Sequence, residues 1–236
     1  MPEKESDGEA ACEFLKLLLK KYPESIHHAN KRGNLPIHFA ALSKSPELCQ
    51  LLIEAYPGSE RMASIDGMLP IHYACRGNCV ATVEYLYNLY PDGIVHTNTK
   101  GLYPIHIAIN SMIERGRIMI LDSLLVSNTF DRAAGREDAV DIVKFLLGCD
   151  ERVKLQKEGR LSLLAWACFQ EYNHENVGAA LEMIKAIYDA HPEAIASAKM
   201  RRFIIRCQQV REFINIVLEF CRFARDSPHL ATPFDN

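Results

Sequence analysis

The chain has 236 residues, of which 48% are hydrophobic, and its 27 Lys and Arg nearly balance its 30 Asp and Glu, for a net charge of -3. This balance excludes the strongly basic class of nucleic-acid-binding domains, so we expect no nucleic acid partner. No apolar run approaches the roughly 20 residues of a membrane-spanning helix, and the N-terminus lacks the pattern of a secretory signal, so we expect no membrane span.

The chain begins with an acidic stretch, and we expect residues 1–9 to be flexible. Phe14, Leu17 and Leu18 then fall three or four residues apart, which predicts a helix over residues 10–21 that ends at Tyr22-Pro23. We interpret this lone helix as an N-terminal cap.

One phrase follows three times at a constant spacing of 34 residues: Leu35-Pro36-Ile37-His38, Leu69-Pro70-Ile71-His72 and Tyr103-Pro104-Ile105-His106. A glycine stands two residues before each copy, and a proline ten residues before each glycine. Repetition at this period is typical of units that bury their apolar faces only by stacking on their neighbours. The sequence therefore predicts an open solenoid.

Each unit contains a polar turn, a short helix and a longer helix. Gly33 suits a turn with positive φ, and Pro36 suits the first turn of a helix. Ser45-Pro46 restarts the chain, and Tyr56-Pro57 ends the second helix because the residue before proline disfavours the α region.

The glycine turn followed by Pro-Ile-His-x-Ala resembles the Thr-Pro-Leu-His-x-Ala core of ankyrin repeats. The Trp and Leu-Gly-x-x-Tyr phrase of the rival 34-residue tetratricopeptide unit does not appear. The resemblance is strong over residues 30–110 and weaker over 10–29 and 137–198. It implies an all-α solenoid of stacked helix-turn-helix units with hairpin-like turns and helical caps, and we place the array at 10–198.

The motif threonine of the family, whose hydroxyl helps to hold the histidine, is replaced by Leu35, Leu69 and Tyr103. We therefore expect the turn to be held differently in this chain. The residues to which we assign a structural role are Gly33, Pro36, His38, Gly67, Pro70, His72, Gly101, Pro104 and His106.

The second half departs further from the repeat. Gly101 and Gly159 are 58 residues apart, which indicates an insert at about 111–136 with an apolar, helix-capable stretch. The insert is either a docking element or a segment packed over neighbouring repeats, and we favour packing because an unprotected apolar helix is an aggregation hazard. A fourth unit begins at Gly159, lacks the histidine, and aligns ambiguously by one residue.

The C-terminal part is basic, with seven Lys or Arg against three acids in residues 199–226. We expect this segment to form capping helices, although it could also bind an acidic protein, a membrane surface or a calmodulin-like partner. We expect residues 227–236 to be a flexible tail. The eight cysteines lie mostly in apolar helical patterns without CxxC spacing, which is typical of reduced thiols and indicates a cytoplasmic or nuclear protein.

The recurring histidines His38, His72 and His106 suggest a metal or catalytic site at first sight. Equivalent positions in stacked helices lie about 8 to 10 Å apart, however, which is too far for a shared zinc. A site formed by His72, Cys75 and Cys79 is possible in principle, but we favour packing thiols. We find no phosphate loop, nucleophile elbow or metal-ligand motif, so we expect no catalytic residues, no metal, no cofactor and no enzyme activity.

The resemblance implies a non-enzymatic interaction module or scaffold, monomeric alone, that binds a protein partner of unknown identity through its turn tips and the exposed face of its first helices. The alternative is a regulatory subunit or enzyme with a site in the divergent second half around the insert. The partner-binding residues that the resemblance implies are Lys31, Arg32, Asn34, Ser43, Ile65, Asp66, Met68, Arg76, Thr99, Lys100, Leu102 and Asn110.

Overall fold

The structure is a computed structural model that describes residues 3–43, 45–114, 134–158, 161–172, 176–196 and 208–216. Its helices, in chain order, are α1 (Glu3–Lys21), α2 (Pro36–Leu42), α3 (Pro46–Ala55), α4 (Pro70–Gly77), α5 (Val80–Leu89), α6 (Pro104–Glu114), α7 (Ala134–Cys149), α8 (Glu151–Lys154), α9 (Leu163–Cys168) and α10 (Val177–Ala190). Residues 208–216 are also helical. Short 3-10 turns span Pro23–His27, Ser59–Arg61, Pro91–Val95 and Pro192–Ala196.

The helices form two layers, as expected for an all-α repeat solenoid. The first helices α2, α4 and α6 pack on one another in sequence, and the second helices α3, α5, α7 and α10 form the other layer, with α1 at its start. One continuous apolar core lies between the layers. The only strands in the described part of the chain are β1 (Lys157–Glu158) and β2 (Leu161–Ser162), an antiparallel hairpin ahead of α9.

Small residues allow the first helices to approach closely. Ala40, Ala74 and Ala108 recur at the 34-residue repeat spacing, and all three are buried. Gly77 at the end of α4 lies against the α2 backbone, where an added Cβ would stand 2.5 Å from the Leu42 carbonyl oxygen. Larger side chains at these positions would separate the units, because packed interiors leave no spare volume.

We call the three units that carry the Pro-Ile-His phrase the regular units. The first helix of each regular unit begins at the proline of this phrase and is held by its histidine. The Leu35 amide donates to Nδ1 of His38 over 3.0 Å, and the Leu69 amide donates to Nδ1 of His72 over 3.1 Å. Leu35 and Leu69 have extended backbones and no side-chain oxygen. The histidine ring thus holds the helix start without the threonine hydroxyl that the ankyrin resemblance implies at this position.

Several boundaries differ from those expected from sequence. α1 begins at Glu3, so the helix occupies most of the segment that we expected to be flexible. α6 continues to Glu114 and α7 begins at Ala134, so both flanking helices extend into the expected insert. Residues 115–133 lie outside the described residues, and so do both interpretations of the insert.

At the C-terminus only part of the expected cap lies within the described residues. Residues 208–216 are helical, with Val210 and Ile214 buried. The remainder of 199–226 and the expected tail at 227–236 lie outside the described residues. Within the described part of the chain, no helix is both long and apolar enough to cross a membrane.

Candidate functional site

The candidate site is the row of turns that connects the two-helix units. In the first turn, the Asn30 amide donates to the Asn34 carbonyl over 3.0 Å, and the Gly33 amide donates to the Asn30 carbonyl over 2.8 Å. The Asn30 side-chain oxygen also accepts from the amides of Arg32 and Asn34. The same backbone pattern recurs in the next two turns, with Ser64 and Asn98 in the place of Asn30. The Ser64 hydroxyl accepts from the Met68 amide, and the Asn98 side-chain oxygen accepts from the amides of Lys100 and Leu102. Each turn is therefore closed by its own backbone and one short polar side chain.

Neighbouring turns are joined edge to edge by backbone hydrogen bonds. The Ile65 amide donates to the Arg32 carbonyl and the Thr99 amide donates to the Asp66 carbonyl, both over 3.0 Å. The Thr99 hydroxyl donates a second bond to the Asp66 carbonyl over 3.1 Å. The three turns thus form one connected row.

The turn glycines are required for this contact. Gly33 and Gly67 have φ values of 72° and 71°, in the left-handed region that only glycine enters easily. A Cβ on Gly33 would stand 2.9 Å from the Ile65 nitrogen, and a Cβ on Gly67 would stand 2.9 Å from the Thr99 nitrogen. Gly101 has a φ of 75°, but no atom of the described residues lies within 4 Å of its added Cβ.

Most of the residues that the resemblance assigned to partner binding lie at the surface. Ile65 is 70% exposed, although it is apolar. The exposed members, which we name the tip surface, are Lys31, Arg32, Ile65, Asp66, Thr99 and Lys100. Ser43, Arg76, Leu102 and Asn110 are partly exposed.

Asn34 and Met68 correct the sequence-based assignment, because both are buried, at 7% and 8% exposure. The Asn34 side-chain oxygen accepts a 2.8 Å hydrogen bond from the Tyr73 hydroxyl of the next unit. The Met68 sulfur lies 3.3 Å from the Asn98 amide nitrogen, again in the next unit. Both side chains fasten adjacent units, so neither belongs to the contact surface.

The motif histidines lie beneath the turns, and all three are fully buried. Because Nδ1 of His38 accepts from Leu35, the ring proton lies on Nε2, which donates to the carbonyls of Met62 and Met68 over 3.1 and 3.2 Å. One ring therefore bonds its own helix start and the turn of the following unit. Burial lowers the pKa of His38.

His72 and His106 are held less completely. Nε2 of each makes no hydrogen bond of good geometry to the described residues, although the His96 and Leu102 carbonyls lie near His72 and act to raise its pKa. Burial dominates and lowers the pKa of His72 to about 3, with the neighbouring His96 adding to the effect. Burial also lowers the pKa of His106 to about 4. Both rings are neutral at physiological pH.

Aromatic contacts settle the alignment of the fourth unit, which the sequence left ambiguous by one residue. Tyr73 packs edge-on against His38 of the preceding unit, with ring centroids 5.2 Å apart. Trp166 packs in the same way against His106, at 4.8 Å. Trp166 therefore occupies the position of Tyr73, and Ala165 occupies the position of the missing histidine.

The divergent second half, to which we assigned the alternative function, offers an open depression among the described residues. Its lining includes Val95, Tyr103, Arg152 and Gln156. Arg152 is paired with Asp150 and Asp92 at 2.7 and 3.2 Å, so its charge is already engaged. Within the described ranges, no three His, Cys, Asp or Glu side chains are placed to hold a metal ion.

Comparison with known proteins gives the same repeat assignment. Residues 6–95 match a family model described as ankyrin repeats, in three copies. A solved structure titled "Crystal structure of human ASB11 ankyrin repeat domain" is similar with 16% sequence identity and a TM-score of 0.40, over 81% of this chain and 84% of that chain. No curated protein matches the sequence significantly.

Proposed function

We propose that this chain, whose residues 6–95 match ankyrin repeats, binds a protein partner through its tip surface, since ankyrin repeats generally serve as protein-protein interaction modules. The observation that supports the proposal most strongly is the backbone connection of successive turns, from Arg32 to Ile65 and from Asp66 to Thr99. These bonds hold the backbone that carries exposed side chains of three units in one row. We further propose that the module is non-enzymatic.

The chemistry of the tip surface indicates what the partner presents. Lys31 and Arg32 make one end basic, Asp66 is acidic, and Lys100 is basic again, while Ile65 supplies an exposed apolar group. A complementary partner carries acidic groups opposite the two basic ends and an apolar side chain opposite Ile65. Such a mixture of one apolar contact within a polar rim is typical of protein interfaces.

The proposed mechanism is rigid presentation. Binding usually costs free energy because loops and side chains become ordered, and a surface that is already ordered avoids part of this cost. The tip backbone is held by bonds within each turn and between turns, so only the side chains become ordered on contact. Modest contacts at several tips then add up to a specific affinity.

A charge-reversal variant tests the proposal. Arg32→Glu, Asp66→Lys and Lys100→Glu together change the tip surface but leave the backbone bonds between turns in place. The control reverses exposed charges away from the tip surface, on the second helices, with Glu54→Lys and Glu84→Lys. Capture from a native lysate followed by mass spectrometry compares both variants with the unaltered chain.

We expect the tip variant to lose at least one protein that the unaltered chain and the control both capture, while its thermal unfolding temperature stays unchanged. The same captured proteins with all three chains would show that the tip surface is not the binding site.

A further inference from the structure

The charged residues of the tip surface alternate in sign from one turn to the next. Arg32, Asp66 and Lys100 occupy the same position in three successive turns, each directly before the turn glycine. All three side chains are exposed, and none of them makes an ion pair with the described residues. The row of turns therefore presents positive, negative and positive charge in a fixed order.

Several cations elsewhere on the surface are already neutralised by their neighbours. Lys144 of α7 is paired with Glu182 of α10 over 2.6 Å, and Arg152 is paired with Asp150 over 2.7 Å and with Asp92 over 3.2 Å. The charges of the tip surface have no such pairing within the described residues, so they remain available to a partner.

The spacing of these charges follows from the stacking of the units. The first helices α2, α4 and α6 pack on one another in sequence, and packed helices lie about 8 to 10 Å apart. The backbone bonds between turns keep the tips in the same succession. A partner chain that lies along the row therefore meets a new charge about every 8 to 10 Å.

One regular backbone conformation matches this spacing. In a polyproline II helix, every third residue lies on the same edge, about 9.3 Å further along, since the rise is about 3.1 Å per residue. A β-strand returns to the same face after two residues, at about 6.7 Å, which is too short. An α-helix returns to nearly the same face after seven residues, at about 10.5 Å, which exceeds the range.

We propose that the tip surface binds a partner segment in the polyproline II conformation that carries an acidic, a basic and a second acidic residue at every third position. The acidic residues lie opposite Arg32 and Lys100, and the basic residue lies opposite Asp66. The inference rests on the proposed function and adds to it the backbone conformation of the partner and the order of its charges.

The same row of charges disfavours a nucleic acid strand. The phosphates of such a strand all carry negative charge, so one of them would lie near Asp66. A peptide avoids this repulsion because it can place a basic residue between two acidic ones.

NMR titration with synthetic peptides that have blocked termini tests the proposal, because it detects weak binding and locates it. The first probe is Glu-Pro-Pro-Lys-Pro-Pro-Glu, and the matched control is Lys-Pro-Pro-Glu-Pro-Pro-Glu, which has the same composition and net charge. The first probe forms three pairs of opposite charge in either chain direction, whereas the control forms one such pair and two pairs of like charge. We expect the first probe to shift the amide signals of Ile65 and Thr99, and the control to bind about tenfold more weakly.

A charge exchange on the protein tests the order of the charges separately. Asp66→Lys should bind the first probe several-fold more weakly, and should bind Glu-Pro-Pro-Glu-Pro-Pro-Glu better than the unaltered chain does. Glu84→Lys is the matched control, because it makes the same change of charge at an exposed position of α5, and it should leave both affinities unchanged. Unchanged thermal unfolding temperatures would show that both variants fold.

The proposal is overturned if the first probe does not bind, if it binds no better than its permuted control, or if Asp66→Lys leaves the preference among the probes unchanged. It is also overturned if an oligothymidine strand shifts the same amide signals at a lower concentration than the first probe. If the charge-reversal variant of the tip surface loses a captured protein although the probes fail, the tip surface is the binding site and only the inferred partner segment is wrong.

Discussion

The regular units and the fourth unit begin their first helices in different ways. In the regular units a buried histidine accepts the amide that starts the helix, and in the first of them the other nitrogen of the ring reaches the following turn. In the fourth unit, the Ser162 hydroxyl accepts from the Ala165 amide over 3.3 Å, which is an ordinary N-cap. The serine holds only its own helix, whereas His38 also fastens the neighbouring unit.

The regular units and the fourth unit also differ at the turn tips. Gly33 and Gly67 lie against the backbone of the following turn, but Gly101 meets no described neighbour. Among the described residues, the backbone bonds between turns connect the three regular units, and Trp166 of the fourth unit contacts His106 of the third. The described backbone bonds between turns thus belong to the regular repeats, where we propose the binding surface.

The largest expected effect concerns the buried histidines, which only the regular units possess. Their pKa values lie below the unfolded value of about 6.5, so the unfolded chain takes up protons first as the pH falls. The stability from neutral His72 and His106 is fully present above pH 6.5 and is lost as the pH falls toward their folded pKa values. We expect the free energy of unfolding to drop by about 4 kcal/mol between pH 7.5 and pH 5, or about 2 kcal/mol for each ring.

Urea unfolding at several pH values measures this drop. His72→Gln should remove about half of it, whereas His28→Gln, at an exposed position, should leave it unchanged. A free energy of unfolding that is flat between pH 7.5 and pH 5 would show that the motif rings are not held in their neutral form.

The difference between the Gly67 and Gly101 turns gives the next largest expected effect on the free energy of unfolding. Gly67→Ala places a side chain in the left-handed region and also against Thr99, so it should cost about 3 kcal/mol of unfolding free energy. Gly101→Ala has the same backbone strain, no described residue lies against its added Cβ, and it should cost about 1 kcal/mol. Chemical denaturation measures both, and equal costs would mean that the row of turns does not depend on close approach at Gly67.

Much of the fold was predictable from sequence, because turn glycines, helix-starting prolines and helical periodicity act locally. Pro36 and Tyr56-Pro57 predicted the limits of α2 and α3, and the structure confirms these limits. The start of α1 was not predictable in this way, since residues 3–8 are polar and lack apolar spacing.

The candidate site was less predictable, because burial there depends on distant residues. Asn34 and Met68 stand next to the turn glycines in the chain, which suggested exposure. Their burial follows from Tyr73 and Asn98, which lie 39 and 30 residues further along the chain. A single unit carries no signal for contacts of this kind, which arise only when the next unit stacks on it.

The central claim is that the tip surface is rigid before any partner binds, and amide hydrogen exchange followed by NMR tests it most directly. The Ile65 and Thr99 amides stand at exposed tips but donate to Arg32 and Asp66 of the preceding turns. We predict that both exchange at least a hundredfold more slowly than the same amides in an unstructured peptide. Exchange at the unstructured rate would contradict the account, because the turns would then move independently.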